Sequence, residues 1–288
     1  MKIKHLDFGF DFADCEMFED KNLQTAFPHT HYFDEISIVL GGSAVHVVGK
    51  DQYPLMRGDV FVVHGNQIHS HIKLSNFHIF NFIYKRDFFE NIKSELGDLP
   101  GFKTLFIHEP CFRKYHKFKA KLHLNPHQLN YIISIIDQMI EARKNERPGG
   151  NKTIEYLFRV LIINLCQCYA EIDTSHSKEL FTIGRVIDFM EENLAEDITL
   201  EMLAKRAHAS KSTLLRAFKR MTGCTPIDYL IKLRIEKAAE MMEKNSDIRV
   251  IDASSATGFW NSSYFTKKFK AVIGMTPMEY LKKQRGIK

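Results

Sequence analysis

Two segments of the chain repeat nearly the same phrase. STLLRAFKRMTGCTP at residues 212–226 returns as SYFTKKFKAVIGMTP at residues 263–277, at an offset of 51 residues. The first-copy positions that recur unchanged at this offset, within the phrase or just after it, include Ser212, Phe218, Lys219, Gly223, Thr225, Pro226 and Tyr229. Self-similarity of this kind predicts that the last third of the chain folds as two similar units.

The first copy has the pattern of a helix with two different faces. Apolar residues recur at i, i+3, i+4 and i+7 and predict a buried stripe of Leu214, Ala217, Phe218 and Met221. A second stripe on the far side contains Ser212, Leu215, Arg216 and Lys219. Ser210 is a suitable N-cap, Gly223 can end the helix in a left-handed conformation, and residues 200–210 supply a short helix and a tight turn before it. This order predicts a helix-turn-helix.

The second copy predicts the same layout. Its inward face is expected to contain Phe265, Phe269 and Val272, and its outward face Ser263, Thr266, Lys267 and Lys270. Asn261 takes the N-cap position, and Gly258 ends the preceding helix. A helix from Pro226 to about Met242, capped by Thr225, joins the two copies. The outward faces of both helices carry Arg or Lys beside small hydroxyl side chains, and this favours DNA binding. The alternative is that the two copies are merely helical hairpins whose basic faces are solvated.

The net charge of +5 is unevenly distributed. From Lys178 onward there are 20 Lys and Arg against 14 Asp and Glu, whereas the first 177 residues carry 20 against 21. This asymmetry indicates a polyanion-binding module joined to a module of another kind. The sequence shows no signal peptide, no run that could span a bilayer, and five cysteines without a CxxC pair. We therefore expect a cytoplasmic protein with reduced thiols.

The N-terminal half begins with strand patterns and ends with helix patterns. Short β-branched runs, separated by turn residues, lie at residues 36–40, 44–48 and 60–63. They predict an antiparallel sandwich or barrel. From His127 the apolar period becomes that of an amphipathic helix, and a second apolar helix follows at residues 153–170. The polar stretch at residues 171–179 is the best linker candidate.

Residues 181–285 resemble the DNA-binding domain of AraC-type bacterial transcription regulators, notably in TLEMLAKRAHASKSTLLRAFKRMTGCTPIDYLIKLRIEKA and GFWNSSYFTKKFKAVIGMTPMEYL. The resemblance implies seven helices with two helix-turn-helix motifs, whose recognition helices enter successive major-groove segments. The DNA-binding residues carried over from it, or placed on the same faces, are Ser212, Leu215, Arg216, Lys219, Ser262, Ser263, Thr266, Lys267 and Lys270. The chain departs from the family pattern at Ala253-Ser254, where Ile-Ala is common, and this reduces apolar burial in the second unit.

The N-terminal half resembles the cupin-type sensor domain of the same family. The resemblance lies in the segment FPHTHYFDEISIVLGGSAVHVVGKDQYPLMRGDVFVVHGNQIHSH and continues through residues 100–126. Within the family, the sequence is most similar to that of the L-rhamnose-responsive activators. In that group the barrel binds a sugar and the following helices dimerise. The implied divisions are an effector-binding and dimerisation domain at residues 1–172, a linker at residues 173–180 and a DNA-binding domain at residues 181–288.

A set of histidines allows two interpretations of the barrel pocket. His29, His31 and Glu35 have the HxHxxxE spacing of a metal-binding cupin, and His69 lies eleven residues past Gly58, where such barrels place their last histidine. This set can bind iron, manganese or zinc. The preferred prediction is a small-ligand site, without a metal or another cofactor, lined by His29, His31, Glu35, His46 and His69.

These observations predict an α+β chain, with an N-terminal cupin-like β-barrel and C-terminal helices followed by an all-α domain with two helix-turn-helix motifs. The leading hypothesis is a transcription activator that binds double-stranded DNA and a small effector, a sugar, and that acts with RNA polymerase and without a membrane. A homodimer through residues 127–141 and 153–169 is expected. The alternatives are a metal-dependent cupin enzyme of sugar metabolism that also binds DNA, and a constitutive DNA-binding protein. No catalytic triad or phosphate loop is recognisable, so a non-enzymatic function is expected.

Overall fold

The structure is a computed structural model, and it describes residues 4–5, 15–21, 26–144, 148–172, 174–245 and 247–285. The chain divides into two compact units, Met1–Phe181 and Thr182–Lys288. Within the described residues, all strands lie in the first unit, and the second unit is helical. The predicted α+β class, with a sheet domain before an all-α domain, is confirmed.

The described residues of the first unit form an eight-stranded sheet that is antiparallel except where β1 pairs with β3. Its strands are β1 Lys4–His5, β2 Cys15–Lys21, β3 Ala26–Thr30, β4 Asp34–Val48, β5 Asp51–Met56, β6 Asp59–Val63, β7 His69–Tyr84 and β8 Leu122–His123. The long strands β4 and β7 pair with each other along most of their length. One half of β4 also pairs with β6 and the other half with β5, while β7 divides in the same way between β2 and β3. The other strands therefore attach to these two, directly or through one neighbour.

β4 is a single strand where the sequence predicts two, because the glycine pair after Leu40 does not end it. The pairing of β4 with β7 shifts register at this point, and the strand continues. Gly42 has a φ of +66°, and a Cβ at this position would lie 2.2 Å from the carbonyl oxygens of both Ser75 and Asn76. A residue without a side chain can take this conformation and allow the close approach, so the strand bulges without ending.

The alternation of side chains along β4 gives the sheet two different faces. Ile36 and Ile38 belong to the core that the helices of the first unit cover. Val39 belongs to a second core formed only by strand residues and the segment after α2. Glu35 and Ser37 lie on the same side of β4 as Val39, since successive side chains point to opposite faces. One face is therefore apolar and covered by helices, whereas the other encloses polar as well as apolar groups.

The first unit contains the two predicted helices and further helical segments that the sequence analysis did not predict. They are α1 Arg86–Leu96, α2 Glu109–His116, α3 Pro126–Lys144 and α4 Gly150–Ala170, with a π-helical turn Thr104–His108 that runs into α2, and α5 Ser175–Glu192 follows. α3 and α4 confirm the two predicted amphipathic helices, and Phe158 of α4 stacks on Phe82 of β7 with ring centroids 3.7 Å apart. Because α5 begins at Ser175, most of the predicted linker is helical, which its polar composition did not indicate.

The second unit contains six further helices among its described residues. They are α6 Leu200–Arg206, α7 Lys211–Thr222, α8 Pro226–Lys244, α9 Val250–Ala256, α10 Ser262–Ile273 and α11 Pro277–Gln284. The predicted N-caps Ser210, Thr225 and Asn261 each accept a hydrogen bond from the backbone N–H three residues later. Gly223 is left-handed, with a φ of +85°, as predicted. The paired helix-turn-helix layout is therefore confirmed in its local geometry.

The predicted inward faces of α7 and α10 are confirmed except at their margins. Leu214, Phe218 and Met221 are buried, whereas Ala217 is only half-buried. The prediction that Val272 faces inward is wrong, because this side chain is 38% exposed. The next residue, Ile273, packs against the core around α8 instead, since the apolar stripe drifts around the helix by its last turn.

Candidate ligand site and nucleic-acid interface

Strand register brings the predicted pocket residues together inside the first unit. His29 of β3 pairs with His69 of β7, and His46 of β4 pairs with His71 of β7. His31 follows β3 directly, and its ring lies 5.0 Å from the ring of His69. The rings of His46 and His69 are 5.8 Å apart. The fold therefore places all four predicted histidines in one cluster and adds His71 to it.

Three of these histidines are anchored in the same way. The Nδ1 atoms of His29, His31 and His69 lie 2.9, 2.7 and 3.0 Å from the backbone carbonyl oxygens of residues 27, 33 and 67. A carbonyl oxygen can only accept a hydrogen bond, so each Nδ1 donates, and a neutral ring then keeps the lone pair on Nε2. One potential ligand atom from each ring lies within 4.8 Å of the corresponding atoms of the other two.

Glu35 adds a buried negative charge beside this group. Its Oε1 accepts a hydrogen bond of 2.7 Å from the Ser37 hydroxyl, and its Oε2 lies 3.4 Å from Nε2 of His31. Burial acts to raise the pKa of Glu35, but the close contact with His31, the nearby imidazoles and the Ser37 hydroxyl together lower that pKa to about 2. The carboxylate is therefore ionised throughout the neutral pH range.

His46 and His71 form the inner part of the cluster, and their rings are 4.9 Å apart. Three buried ring nitrogens have no hydrogen-bond partner among the described residues. They are both ring nitrogens of His46 and Nε2 of His71. Burial lowers the pKa of His71 to about 4 and lowers the pKa of His46 well below its usual value. Both rings are therefore neutral at pH 7. Buried polar atoms without partners in a protein interior indicate a place for a bound molecule or ordered water.

The sequence interpretation missed two neighbours of this pocket. His71 could have been found, because it lies two residues after His69 and so shares its face of β7. Arg113 of α2 had no comparable signal. Its guanidinium lies over the ring of Phe118 at 4.7 Å, donates to the carbonyl of Val62 and forms an ion pair of 2.5 Å with Glu109. This ion pair places a carboxylate beside a cation whose charge lowers the pKa of His46.

In the second unit, the two helix-turn-helix motifs differ in the length of the turn. His208 and Gly258 both take left-handed conformations after the first helix of each motif, with φ values of +49° and +78°. One residue separates His208 from the N-cap Ser210, whereas two separate Gly258 from the N-cap Asn261. The additional position brings Trp260 into the second turn, where it is 86% exposed. The two motifs are therefore similar in layout but not identical.

The residues predicted to contact DNA lie on the outer faces of α7 and α10. Those that are exposed are Ser212, Arg216, Lys219, Ser262, Ser263, Thr266, Lys267 and Lys270, and Leu215 is half-buried. Two hydroxyls have internal contacts, since Ser212 Oγ lies 3.0 Å from Ser210 Oγ and Thr266 donates to the Ser262 carbonyl. The basic side chains therefore remain the main groups that these faces offer to a polyanion.

Comparison with known proteins matches both units. Residues 14–158, half of the chain, match the family described as AraC-like ligand binding domain, and residues 203–283 match the family described as Helix-turn-helix domain. The chain belongs to the AraC family of transcription regulators. As an AraC-family member it is a DNA-binding transcription regulator with a ligand-binding domain, and the histidine cluster lies in that domain.

Relatives of this AraC-family chain match it over nearly their whole length. The HTH-type transcriptional activator RhaR of Enterobacter sp. (strain 638) is 25% identical over 285 residues, which are 98% of this chain and 97% of the relative. RhaR of Salmonella dublin is 26% identical over 276 residues, covering 95% and 94%. A solved structure of the DNA-binding domain of AdpA with a target DNA is 28% identical, has a TM-score of 0.34 and covers 36% of this chain and 94% of that chain.

No described helix of the present chain is long and apolar enough to cross a membrane.

Proposed function

We propose that this AraC-family regulator is a transcription activator whose effector is a small neutral sugar bound in the barrel of the first unit. The relatives named above are called transcriptional activators, and the first unit resembles the sensor domain of L-rhamnose-responsive activators. L-rhamnose is therefore the first sugar to test. Activation further implies contact with RNA polymerase at the promoter.

The observation that carries this proposal is the group of buried hydrogen-bonding atoms without partners in the pocket. His46 and His71 are neutral and present ring nitrogens without partners among the described residues, and Glu35 adds a carboxylate. Each neutral ring offers one acceptor nitrogen and one N–H donor, so sugar hydroxyls can donate to the acceptor nitrogens and to the Glu35 carboxylate and can accept from the N–H of His46. The ring of Phe61 lies 4.9 Å from that of His46 and supplies an apolar surface for the carbon atoms of a sugar. Such a mixture of apolar walls and a few polar groups is typical of small-molecule sites.

The charge of the pocket favours a neutral ligand over an anionic one. Glu35 is ionised, burial lowers the pKa of His69 to about 4 so that its ring is neutral, and the nearby Arg113 is paired with Glu109. A carboxylate-bearing sugar would place a second negative charge near Glu35 without an unpaired cation to balance it, which is costly in a buried site. We therefore expect neutral hexoses and deoxyhexoses to bind, and uronic acids to be rejected.

Titration calorimetry of the full chain with L-rhamnose, L-fucose, D-galactose and D-galacturonate tests this expectation. The variant His46→Phe keeps the apolar volume but removes one hydrogen-bond acceptor and one donor, and it should weaken binding of the neutral ligand by about 10-fold or more, since each of the two hydrogen bonds contributes about 1 kcal/mol. His127→Ala, an exposed position on α3, is the matched control and should bind normally. Preferential binding of D-galacturonate, or an unchanged affinity in His46→Phe, would overturn the proposal.

We further propose that α7 and α10 read DNA. On α7, Arg216 is placed to bind guanine bidentately and Leu215 to meet a thymine methyl. On α10, Ser262, Ser263, Thr266 and Lys267 take the corresponding positions. Lys219 and Lys270 lie one turn further along each helix, where contact with phosphate is expected. The local geometry of both motifs supports this assignment.

A homodimer formed through α3 and α4 completes the proposal. Both helices bury one stripe within the first unit, yet they also expose large apolar side chains. Tyr131 is 51% exposed, Tyr156 is 65% exposed and Val160 is 37% exposed. Tyr156 and Val160 are four residues apart and so lie on one face of α4. Apolar groups that share an exposed helix face are suited to contact with a second copy of the chain.

A further inference from the structure

The turn of the second helix-turn-helix motif contains one residue that has no counterpart in the first. The N–H of Phe259 donates to the carbonyl of Ser254 at 3.0 Å. In the first motif, the N–H of Ala209 donates in the same way to the carbonyl of Ala204, also at 3.0 Å. Phe259 therefore corresponds to Ala209, and Trp260 is the additional residue. The chain thus places its only tryptophan at a position that the first motif lacks.

The residues on both sides of Trp260 are held in place. Phe259 is 5% exposed, and its ring lies 5.0 Å from the ring of Phe265 in the core of the second unit. Asn261 is the N-cap of α10, and its side chain accepts a hydrogen bond of 2.9 Å from the N–H of Tyr264. Between these two anchors, Trp260 is 86% exposed. The turn therefore holds a large aromatic side chain at a fixed position outside the core.

We propose that the indole of Trp260 packs against the sugar–phosphate backbone of the duplex that α10 reads and donates its N–H to a phosphate oxygen. This inference rests on the proposed role of α10 in reading DNA. The first residues of a recognition helix contact base edges in the major groove. A residue directly before the N-cap of that helix consequently lies near the edge of the groove, where one DNA strand passes.

An indole is chemically suited to this place. Its rings can cover the C–H surface of a deoxyribose, and its Nε1–H is a hydrogen-bond donor that cannot act as an acceptor. About half to two-thirds of the hydrogen bonds between proteins and DNA go to phosphate and sugar, and these contacts fix the register of the protein on the duplex. Trp260 would therefore position α10 in the groove without itself reading a base.

The charge of the second motif favours DNA over a protein as the molecule that covers this residue. Residues 262–273 contain three lysines and no acidic residue. Two of these lysines, Lys267 and Lys270, are exposed. The nearest acidic residue before the turn, Asp252, forms an ion pair of 2.7 Å with Arg249. An exposed aromatic ring beside a helix of net positive charge complements a phosphate backbone.

The fluorescence of Trp260 reports this contact directly, because the chain has no other tryptophan. A duplex is selected from a random library with the full chain, and its binding is measured by the anisotropy of a fluorescein-labelled copy. Acrylamide quenching of the tryptophan emission is then compared between the free chain and the complex with the unlabelled duplex. We expect the duplex to protect Trp260 from acrylamide.

Substitutions at this exposed position separate the chemical contributions. Trp260→Ala should weaken binding to every sequence by about 10-fold and leave its salt dependence unchanged, because an apolar contact and a neutral hydrogen bond are lost but no charge. Trp260→Phe should lose less, because it keeps an aromatic ring. Trp260→Lys should make the dependence of log K on log salt steeper by about 0.9, because a new cation neutralises one phosphate. Met278→Ala, exposed on α11, is the matched control and should bind like the original chain.

The outcomes distinguish this inference from the proposal on which it rests. If no duplex is selected and none binds by anisotropy, the proposed DNA reading fails and the role of Trp260 fails with it. If the complex forms but Trp260 stays as accessible to acrylamide as in the free chain, only the present inference is wrong. Unchanged affinity in Trp260→Ala, or protection of Trp260 by RNA polymerase and not by DNA, would overturn it as well.

Discussion

At the residue scale, Gly258 combines a special backbone conformation with a close contact. It takes a φ of +78° in the second helix-turn-helix turn, where a Cβ would lie 2.8 Å from the carbonyl oxygen of Leu194 and 2.9 Å from Cζ of Arg234. The same Arg234 donates hydrogen bonds to the carbonyls of Leu194, Glu196 and Gly258. It thereby connects α8, the segment before α6 and the second turn.

Gly258→Ala should therefore destabilise the second unit more than an otherwise similar change at Gly274. Gly274 has a φ of +89°, but a Cβ there meets nothing within 4 Å, so its substitution costs only the backbone strain. We expect about 1 kcal/mol for Gly274→Ala, and at least about 1 kcal/mol more for Gly258→Ala, because Arg234 must move. Urea unfolding followed by the fluorescence of Trp260, the only tryptophan, measures the difference. If both variants lose the same free energy of unfolding, Arg234 moves aside without an energetic cost, and the expectation is wrong.

His108 predicts how the first unit responds to acid. Burial, aided by the charge of Lys103, lowers the pKa of His108 to about 3. The unfolded chain binds the proton near pH 6.5, so this residue's contribution to stability is complete above that pH and is lost as pH falls toward 3, at about 1.4 kcal/mol per unit. Between pH 7 and 4.5, His108→Phe should lose less free energy of unfolding than the original chain, whereas exposed His127→Gln should not differ. Circular dichroism during urea unfolding provides the measurement, and identical losses in all three would contradict the assignment.

At the scale of secondary-structure elements, α7 and α10 should contribute separately to DNA recognition. Arg216→Ala should cost about 1–3 kcal/mol of binding and relax the preference at one base pair, because one bidentate contact is lost. Lys270→Ala should weaken binding to all sequences alike and make the affinity less dependent on salt, because it removes one phosphate contact. Selection from a random DNA library, followed by titrations at two salt concentrations, distinguishes these effects. An unchanged base preference in Arg216→Ala would contradict the role of α7.

The elements also show which features the sequence could predict. The caps and most of the buried stripes of α7 and α10 depend on residues within one or two turns, so the local pattern was sufficient there, except at Val272. The continuation of β4 through Gly42 was not predictable from a glycine pair, because it depends on the backbone of β7 lying close by. Membership of His71 in the pocket depends on its pairing with His46 across two strands. Contacts between distant segments therefore account for most of what the sequence did not indicate.

At the scale of the whole molecule, the oligomeric state is the main property to measure. Tyr156→Asp together with Val160→Asp places two charges on the exposed apolar face of α4, and we expect the chain to sediment as a monomer at micromolar concentration. Met278→Asp is the matched control, because Met278 is a similarly exposed apolar residue on α11. It should leave the dimer intact. If the original chain is itself monomeric, α3 and α4 do not form a dimer interface.

The unequal turns of the two motifs have a consequence for how a promoter and its regulator evolve. Because both motifs belong to one polypeptide, separate codons specify each of them, and a substitution near Trp260 changes only the second. In a dimer of single-motif subunits, the same mutation would alter both half-sites at once. An operator for this chain therefore need not be a palindrome. Natural selection can change the bases of one half of the operator while the contacts in the other half keep the regulator bound to the promoter.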